Sequence, residues 1–347
     1  MHLSKPWRSV RFQRFPISFR VDRRVLGVLV ILMGVASLAL IVNVSRGEYP
    51  VPLGAVVKTI LGLPTTSDYA FVVNTLRLPR ALIALLVGMA LATAGTILQG
   101  LTRNPLAAPA IIGINSGASL VAVAFIVLWP TLPVAWLPVA AFLGGLCAAI
   151  AIYLLAWNQG SAPVRLILVG VGLTALTSAC TSLMITFGNI YDVSQALVWL
   201  TGSVYGRSWA NFWPLLPWLL LFMPLALILA RDLDALALGD DLAQGVGNRV
   251  EWTRSLLLIC TAALAGSAVA TAGTIGFVGL MAPHLARQLV GPSHVGLIPV
   301  AALTGGCMVE LADLAGRLLF APIELPCGII TAIIGAPYFL WLLSRNA

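Results

Sequence analysis

Charged residues are scarce in this chain, and lysine is almost absent. Of its 347 residues, 9% are charged and 60% are hydrophobic, whereas an ordinary soluble domain carries roughly 25% charged residues. This composition excludes a soluble protein and indicates one that crosses a membrane several times. In lipid only helices and closed barrels satisfy the backbone, and these apolar runs do not alternate with polar residues as barrel strands do. The sequence therefore predicts an all-α membrane fold.

The chain also lacks the residue sets that carry chemistry. The only lysines are Lys5 and Lys58, and no GxxxxGK[ST] phosphate-binding loop occurs, so ATP has no site of that kind. The five cysteines lie in apolar runs without metal-ligand spacing, and the three histidines form no cluster. We therefore expect no catalytic residue, no metal site and no directly bound cofactor. These absences do not exclude a transport function.

Basic residues concentrate at the ends of the apolar runs. The net charge of +8 does not indicate nucleic-acid binding, because membrane topology requires this placement. Seven of the twenty basic residues lie within residues 1–24, which we predict to be a basic cytoplasmic segment. Residues 25–347 then form one transmembrane domain. A spanning helix needs about 20 residues, and the runs predict about ten spans, at residues 25–44, 78–100, 109–129, 134–157, 163–187, 213–230, 254–274, 276–290, 297–316 and 325–343.

The distribution of arginine and lysine orients these spans. With the N-terminus in the cytoplasm, fourteen basic residues fall on the cytoplasmic side and six on the outer side, in agreement with the positive-inside rule. The C-terminus is then cytoplasmic as well. The polar loop at residues 231–254 also lies in the cytoplasm.

The sequence repeats itself within the membrane domain. Residues 88–97 read GMALATAGTI and residues 266–275 read GSAVATAGTI. The copies fall in the second and seventh spans, which run in opposite directions because they are five spans apart. We therefore predict an inverted repeat that relates spans 2–5 to spans 7–10, as in many transporters.

The polar loop at residues 231–254 lies between the two predicted halves. Its centre, residues 236–247, reads LALGDDLAQGVG, and three glycines divide it into two short pieces at 236–238 and 240–244. It is either an ordinary connection between spans or a short helix–turn–helix that engages a soluble partner.

Several charged residues lie near the predicted outer face. Arg77 and Arg80, in the motif RLPR, either extend to the membrane interface or form an exposed pair for carboxylates of a partner. Asp313 can pair with Arg317 at i, i+4. Glu310 lies one turn deeper, and we expect it to face the protein interior, either bonded to another helix or beside a polar path.

The fifth span carries a row of hydroxyl groups. They either bond to their own backbone or line a wet translocation path. The candidates for that path are Thr174, Thr177, Ser178 and Thr181.

Six ordered motifs resemble the FecCD-type permeases, the membrane subunits of ABC importers for ferric siderophores, haem and cobalamin. The resemblance covers about residues 25–345. The motifs are RLPR at 77–80, QGLTRNPLAAPAIIGINSGA at 99–118, LALGDDLAQGVG at 236–247, GTIGFVGLMAPHLAR at 273–287, ELADLAGR at 310–317 and ELPCGIITAIIGAPYFLWLL at 324–343.

The resemblance implies partners and roles for particular residues. It implies ten helices per subunit, a homodimer or heterodimer of permeases, an ATP-binding-cassette ATPase dimer that holds ATP and magnesium, and a periplasmic or lipid-anchored binding protein. It places the chain in the bacterial inner membrane. The implied ATPase-coupling residues are Leu238, Gly239, Asp240, Ala243, Gly245 and Gly247. The implied docking residues for the binding protein are Arg77, Arg80 and Arg317, and the implied cytoplasmic gate is Asn104, Leu106 and Ser161.

The sequence departs from the family pattern at two positions. Val246 replaces the leucine that usually precedes the last glycine of the coupling motif, and Glu310 stands where relatives have an apolar residue. The sequence of residues 197–209 most resembles that of ferric dicitrate and related iron-chelate permeases. We expect a permease for an iron(III)–siderophore chelate. The alternatives are a haem or cobalamin permease, a proton-driven carrier that uses Glu310 and Asp313, and a membrane anchor without transport.

Overall fold

The computed structural model describes residues 7–11, 18–47, 49–110, 113–157, 163–320 and 323–346. Two short antiparallel strands, β1 (Trp7–Arg11) and β2 (Ser18–Asp22), form a hairpin within the basic N-terminal segment. The rest of the described chain is helical, which confirms the predicted class. Asp22 ends the hairpin and caps the first helix, because its carboxylate accepts a hydrogen bond from Arg24 N at 2.8 Å.

Fifteen helices follow the hairpin in the described part of the chain. In chain order they are α1 (Arg23–Ser45), α2 (Leu53–Ile60), α3 (Ser67–Phe71), α4 (Leu78–Thr102), α5 (Ile114–Leu128), α6 (Leu137–Ala156), α7 (Pro163–Phe187), α8 (Ile190–Leu200), α9 (Trp209–Ile228), α10 (Ala230–Leu238), α11 (Asp240–Gly245), α12 (Val250–Ala272), α13 (Val278–Val290), α14 (His294–Leu318) and α15 (Cys327–Asn346). A π-helical segment, Val72–Arg77, joins α3 to α4, and a 3-10 turn, Val134–Trp136, precedes α6.

The predicted spans correspond to ten of these helices. Seven helical segments in the described residues are long and apolar enough to cross a membrane, and two shorter apolar helices add to them; α13 matches the remaining span. The third span was predicted from residue 109, but α5 begins at Ile114 because Gly113 has φ +73° and breaks the helix. The short helices α2, α3 and α8 were missed, since each is too brief to resemble a span.

The centre of the bundle is formed by α4, α12 and α14, which are largely buried, whereas α1, α7 and α9 expose most of their apolar side chains. Glycines allow the central helices to touch. A Cβ added at Gly88 of α4 would overlap the carbonyl of Gly305 in α14. Close approach of small residues is how helices associate in lipid.

The helix contacts follow the pairing that the predicted inverted repeat requires. In that repeat, α4, α5 and α6 correspond to α12, α13 and α14. Accordingly, α4 packs on α14 and its counterpart α12 packs on α6. In the same way, α5 packs on α6 and α13 packs on α14. One detail differs from the prediction. The first copy of the shared stretch ATAGTI, residues 92–97, lies inside α4. The second, residues 270–275, extends beyond α12, which ends at Ala272 before Gly273 at φ +72°.

Candidate functional site

The polar loop between the two halves folds into α10 and α11, which meet at Gly239. This glycine has φ +129° and ψ 151°, and Gly247 beyond α11 has φ +85°. Both conformations favour glycine, which has no Cβ to clash with the backbone. The predicted pair of short helices is therefore present, and glycines turn the chain on either side of α11.

The two short helices have a buried side and an exposed side. Leu233, Leu236 and Ala243 join a buried cluster with residues of α4 and α12. The opposite side forms an exposed apolar patch, which we call the coupling patch: Leu238 is 73% exposed, Leu242 62% and Val246 76%. Exposed apolar patches of this kind mark interaction surfaces. Of the predicted coupling residues, Leu238 belongs to this patch, whereas Ala243 holds the segment against the protein.

Asp240 connects the segment to the ends of two spanning helices. Arg103 Nη2 pairs with Asp240 Oδ1, and Arg254 Nη2 lies 2.9 Å from Oδ2. Arg103 Nε also donates to the carbonyl of Leu236 at 3.0 Å. Arg103 has φ +51°, a left-handed conformation that costs a residue other than glycine about 1–2 kcal/mol, and these bonds offset the cost. The sequence indicated Asp240 but not its two arginine partners.

The predicted cytoplasmic gate follows Arg103 directly. Asn104 Oδ1 accepts a hydrogen bond from Leu106 N at 2.9 Å, which forms a turn of the kind that Asn favours. Both residues are partly buried. Ser161, the third predicted gate residue, lies outside the described residues. The structure therefore brings Asn104 and Leu106 next to the coupling segment, and their gating role stays a prediction.

The three predicted docking arginines are buried, which corrects the expectation of an exposed pair. Arg77 and Arg80 are each 9% exposed, and Arg317 is 7% exposed. A buried guanidinium group needs hydrogen-bond partners, and the chain itself provides most of them, although Arg317 Nε has none among the described residues. Arg77 donates to backbone carbonyls at 2.9, 3.1 and 2.7 Å, those of Val44, Ser45 and Tyr49.

Arg80 is the centre of an ion-pair cluster. Its guanidinium lies 2.7 Å from Asp313 and 2.8 Å from Glu324, and its Cζ is 5.4 Å from the centre of the Tyr205 ring. The predicted pair of Asp313 with Arg317 is wrong. Asp313 turns to α4 and binds Arg80 at two nitrogens, an arrangement that a single i, i+4 contact cannot match.

Glu310 faces the interior, as predicted, but its carboxylate is not bonded to another helix. The residue is 0% exposed, and neither carboxylate oxygen has a hydrogen-bond partner among the described residues. Asn43 of α1 lies beside it: its side chain donates to the Glu310 backbone carbonyl at 3.3 Å and accepts from Arg317 Nη2 at 2.5 Å.

The predicted path hydroxyls divide into two groups. Thr177 and Thr181 are 6% and 9% exposed, and each donates to a backbone carbonyl of α7. Thr174 receives a hydrogen bond from Ser116 of α5 at 3.3 Å. Only Ser178 of the four is on the exposed side of α7. Packing therefore explains the threonines, and Ser178 remains the candidate for a path.

An apolar cavity of about 320 Å³ lies between α6, α9 and α12. Its walls are hydrocarbon and aromatic, and two of its polar side chains, Tyr153 and Ser255, bond to each other at 2.8 Å. It offers no ligand set for a polar chelate. Among the described residues, no group of three His, Cys, Asp or Glu side chains could hold a metal ion.

Sequence comparison decides the family. The FecCD transport family matches residues 32–345. The chain belongs to this family. It is 44% identical over 341 residues to the achromobactin transport system permease protein CbrC of Dickeya dadantii, covering 98% of this chain and 96% of that protein. It is 43% identical over 318 residues to the Fe(3+) dicitrate transport system permease protein FecD of Escherichia coli, covering 92% and 98%.

A solved structure agrees with the FecCD assignment. A metal-chelate type ABC transporter in an inward-facing conformation matches with a TM-score of 0.83 at 30% identity, covering 92% of this chain and 99% of that chain. As a member of the FecCD family, the chain is a membrane transport subunit and not an enzyme. The residues that sequence reasoning missed, Arg103 and Arg254, were visible only as basic ends of apolar runs.

Proposed function

We propose that this chain is the permease subunit of a binding-protein-dependent ABC importer that moves an iron(III)–siderophore chelate across the bacterial inner membrane. The coupling patch carries the proposal, because it is apolar, exposed and tied to the spanning helices through Arg103 and Asp240. A separate ATPase dimer that holds ATP and magnesium binds this patch. The energy has to come from a partner, since the sequence has no phosphate-binding loop.

The orientation follows from the charge distribution. Both termini and the α10–α11 segment lie in the cytoplasm, where fourteen of the twenty basic residues also fall. The Arg80 cluster then lies at the opposite, outer end of α4. Movement driven by ATP thus begins at the α10–α11 segment, and the buried helices transmit it to the Arg80 cluster at the outer end of the bundle.

A second permease subunit, identical or related, completes the path. The exposed side of α7 carries large apolar side chains, including Val171 at 53%, Leu176 at 60% and Leu183 at 58% exposure, with Ser178 among them. An apolar helix face with a few polar groups suits a subunit interface that borders a wet path. We assign Ser178 to that path, and Thr174, Thr177 and Thr181 to the packing behind it.

The outer arginines organise the surface on which the binding protein docks. Arg77 holds the end of α1, Arg80 joins α4 to α14, and Arg317 joins α14 to α1. A periplasmic or lipid-anchored binding protein meets the loops that these three residues fix. Direct contact with their guanidinium groups would require the present bonds to open.

The names of the relatives support an iron chelate as the substrate. Permeases named for achromobactin and Fe(3+) dicitrate are 44% and 43% identical to the chain, whereas the hemin transport system permease protein HmuU of Yersinia pestis is 38% identical. Haem and cobalamin remain the alternatives within the family.

Uptake by the assembled complex tests the proposal. The chain, reconstituted in proteoliposomes with its ATPase and binding protein, should accumulate radioactive iron supplied with citrate or a citrate-type siderophore, and only with ATP. Leu242→Asp should lower uptake by about tenfold, since it places a charge in an apolar contact, whereas Leu242→Met should retain it. Uptake that needs no ATPase and collapses with a proton ionophore would establish a proton-driven carrier instead.

A further inference from the structure

A carboxylate on α10 caps the first turn of α14. Asp234 Oδ1 accepts hydrogen bonds from His294 N at 2.8 Å and from His294 Nδ1 at 2.6 Å, and Oδ2 accepts from Ser293 Oγ at 3.0 Å. Ser293 occupies the N-cap position of α14, but its own side chain makes no capping bond. The cap therefore comes from a different helix, where a negative charge also complements the helix dipole.

His294 extends this contact to α4. The residue is 5% exposed, and a Cβ added at Gly100 of α4 would lie 2.7 Å from its Nε2. The same Cβ would lie 2.8 Å from the side chain of Leu233 on α10. α10, α4 and α14 thus meet around one imidazole ring, and only a glycine at position 100 leaves room for it.

α4 and α14 are held together along their length, and we call this pair the α4–α14 column. Their glycines interlock at Gly88 and Gly305, where a Cβ on either residue would overlap the other helix. At the far end, Arg80 of α4 pairs with Asp313 of α14. His294 and Asp313 are 19 residues apart in α14, which is about 28 Å at 1.5 Å per residue.

We propose that Asp234 is the positioning residue through which movement of the coupling segment reaches the outer end of the protein. Its three hydrogen bonds make α10 and the first turn of α14 move together, and the packed column moves the Arg80–Asp313 pair with them. Arg103 provides the parallel tie to α4 through Leu236 and Asp240. The inference rests on the proposed function, because it requires an ATPase on the coupling patch.

Coupling efficiency is the quantity that tests this role. In proteoliposomes that contain the full complex, the ratio of iron chelate transported to ATP hydrolysed is measured for the unaltered chain and for Asp234→Ala. The variant should assemble with the ATPase and hydrolyse ATP at the basal rate, but transport per ATP should fall roughly tenfold, within the range of coupling between distant sites. Asp234→Asn, which keeps one acceptor oxygen for His294 N and His294 Nδ1, should recover part of the ratio.

Asp22→Ala is the matched control. Asp22 also caps a spanning helix, α1, by accepting from Arg24 N, but α1 lies outside the α4–α14 column. This variant loses a similar capping bond and should keep the transport ratio of the unaltered chain. If Asp234→Ala does not assemble, His294→Gln takes its place, since it leaves Asp234 with the Ser293 and backbone donors.

Two results would overturn the inference. One is an unchanged ratio in Asp234→Ala or, where that variant does not assemble, in His294→Gln. The other is an equal loss in Asp22→Ala, which would mean that any lost cap weakens transport. Failure of the proposed function is distinct, because the unaltered chain would then transport no chelate in response to ATP.

Discussion

Arg80 and Asp313 are joined by three short contacts across the two central helices. Arg80 Nε lies 3.2 and 3.1 Å from the two carboxylate oxygens, and Nη2 lies 2.7 Å from Oδ1. The carboxylate side chain is only 2% exposed. The geometry of this buried pair is good, but removal of Arg80 would leave Asp313 as a buried charge without a counter-ion.

Arg80→Ala should therefore destabilise the protein by about 3–5 kcal/mol, as does the removal of one partner from other buried pairs. The double variant Arg80→Ala with Asp313→Ala should lose less, because the buried Asp313 carboxylate is gone and only the partly exposed Glu324 is left without its partner. Thermal unfolding of the purified chain in detergent measures both. Arg46→Ala, at an exposed outer arginine, should change the midpoint little. A double variant no more stable than Arg80→Ala would contradict the explanation.

Gly88→Ala should also destabilise the protein, by about 1–3 kcal/mol, because the new methyl group overlaps the Gly305 carbonyl. Gly172→Ala in α7 is the control, since no atom lies within 4 Å of the added Cβ. In a helix interior this second change should stabilise by about 0.5–1 kcal/mol. The two unfolding midpoints should thus move in opposite directions, and equal shifts would show that the close approach does not matter.

Gly239→Ala should impair coupling between ATP hydrolysis and uptake. The backbone at Gly239, with φ +129°, lies in a region that costs other residues about 1–3 kcal/mol, so alanine should change the angle between α10 and α11. Gly54→Ala adds the same methyl group in α2, outside the coupling segment, without positive φ and with open space around it. Transport per ATP should fall in the first variant and persist in the second. A loss in the second variant alone would show that the backbone conformation of Gly239 does not matter for coupling.

The stability that Asp234 contributes should depend on pH. Burial raises the pKa of its carboxyl, but the hydrogen bonds and charge of His294 and the bond from Ser293 outweigh burial, so the pKa lies below its ordinary value. A carboxyl with a lowered folded pKa stabilises the protein above the ordinary Asp pKa of about 3.9, and this contribution is lost as pH falls through the lowered value.

Unfolding midpoints of the unaltered chain and of Asp234→Asn, measured across pH, test this expectation. The difference between the two proteins should shrink as the pH falls below about 4. The asparagine variant does not titrate, so the change belongs to the unaltered chain. A difference that stays constant into strongly acidic solution would contradict the role of the charge.

Much of the architecture was readable from the sequence because lipid imposes simple rules. Long apolar runs gave nearly all the spanning helices, and basic flanks gave an orientation that stays a prediction. Three glycines in residues 236–247 indicated the division into two short pieces. These features depend on the local amino-acid composition, which can be read from a single sequence.

The partners of buried charges could not be read in the same way. Asp313 has Arg317 four residues away in sequence, yet it binds Arg80, which is 233 residues distant. Asp234 likewise caps a helix that begins 60 residues later. Such pairs depend on which helix faces meet, and apolar composition is nearly uniform around α4 and α14, so periodicity does not reveal those faces.

The bonds of Arg77 have a consequence for biosynthesis. Its guanidinium holds the last carbonyls of α1, although it lies 32 residues beyond Ser45 in the chain. Until Arg77 has been synthesised, the last carbonyls of α1 lack the guanidinium that binds them in the folded protein. The end of α1 therefore acquires these bonds only after residue 77 has been made, so the order of synthesis limits when this part of the outer surface can form.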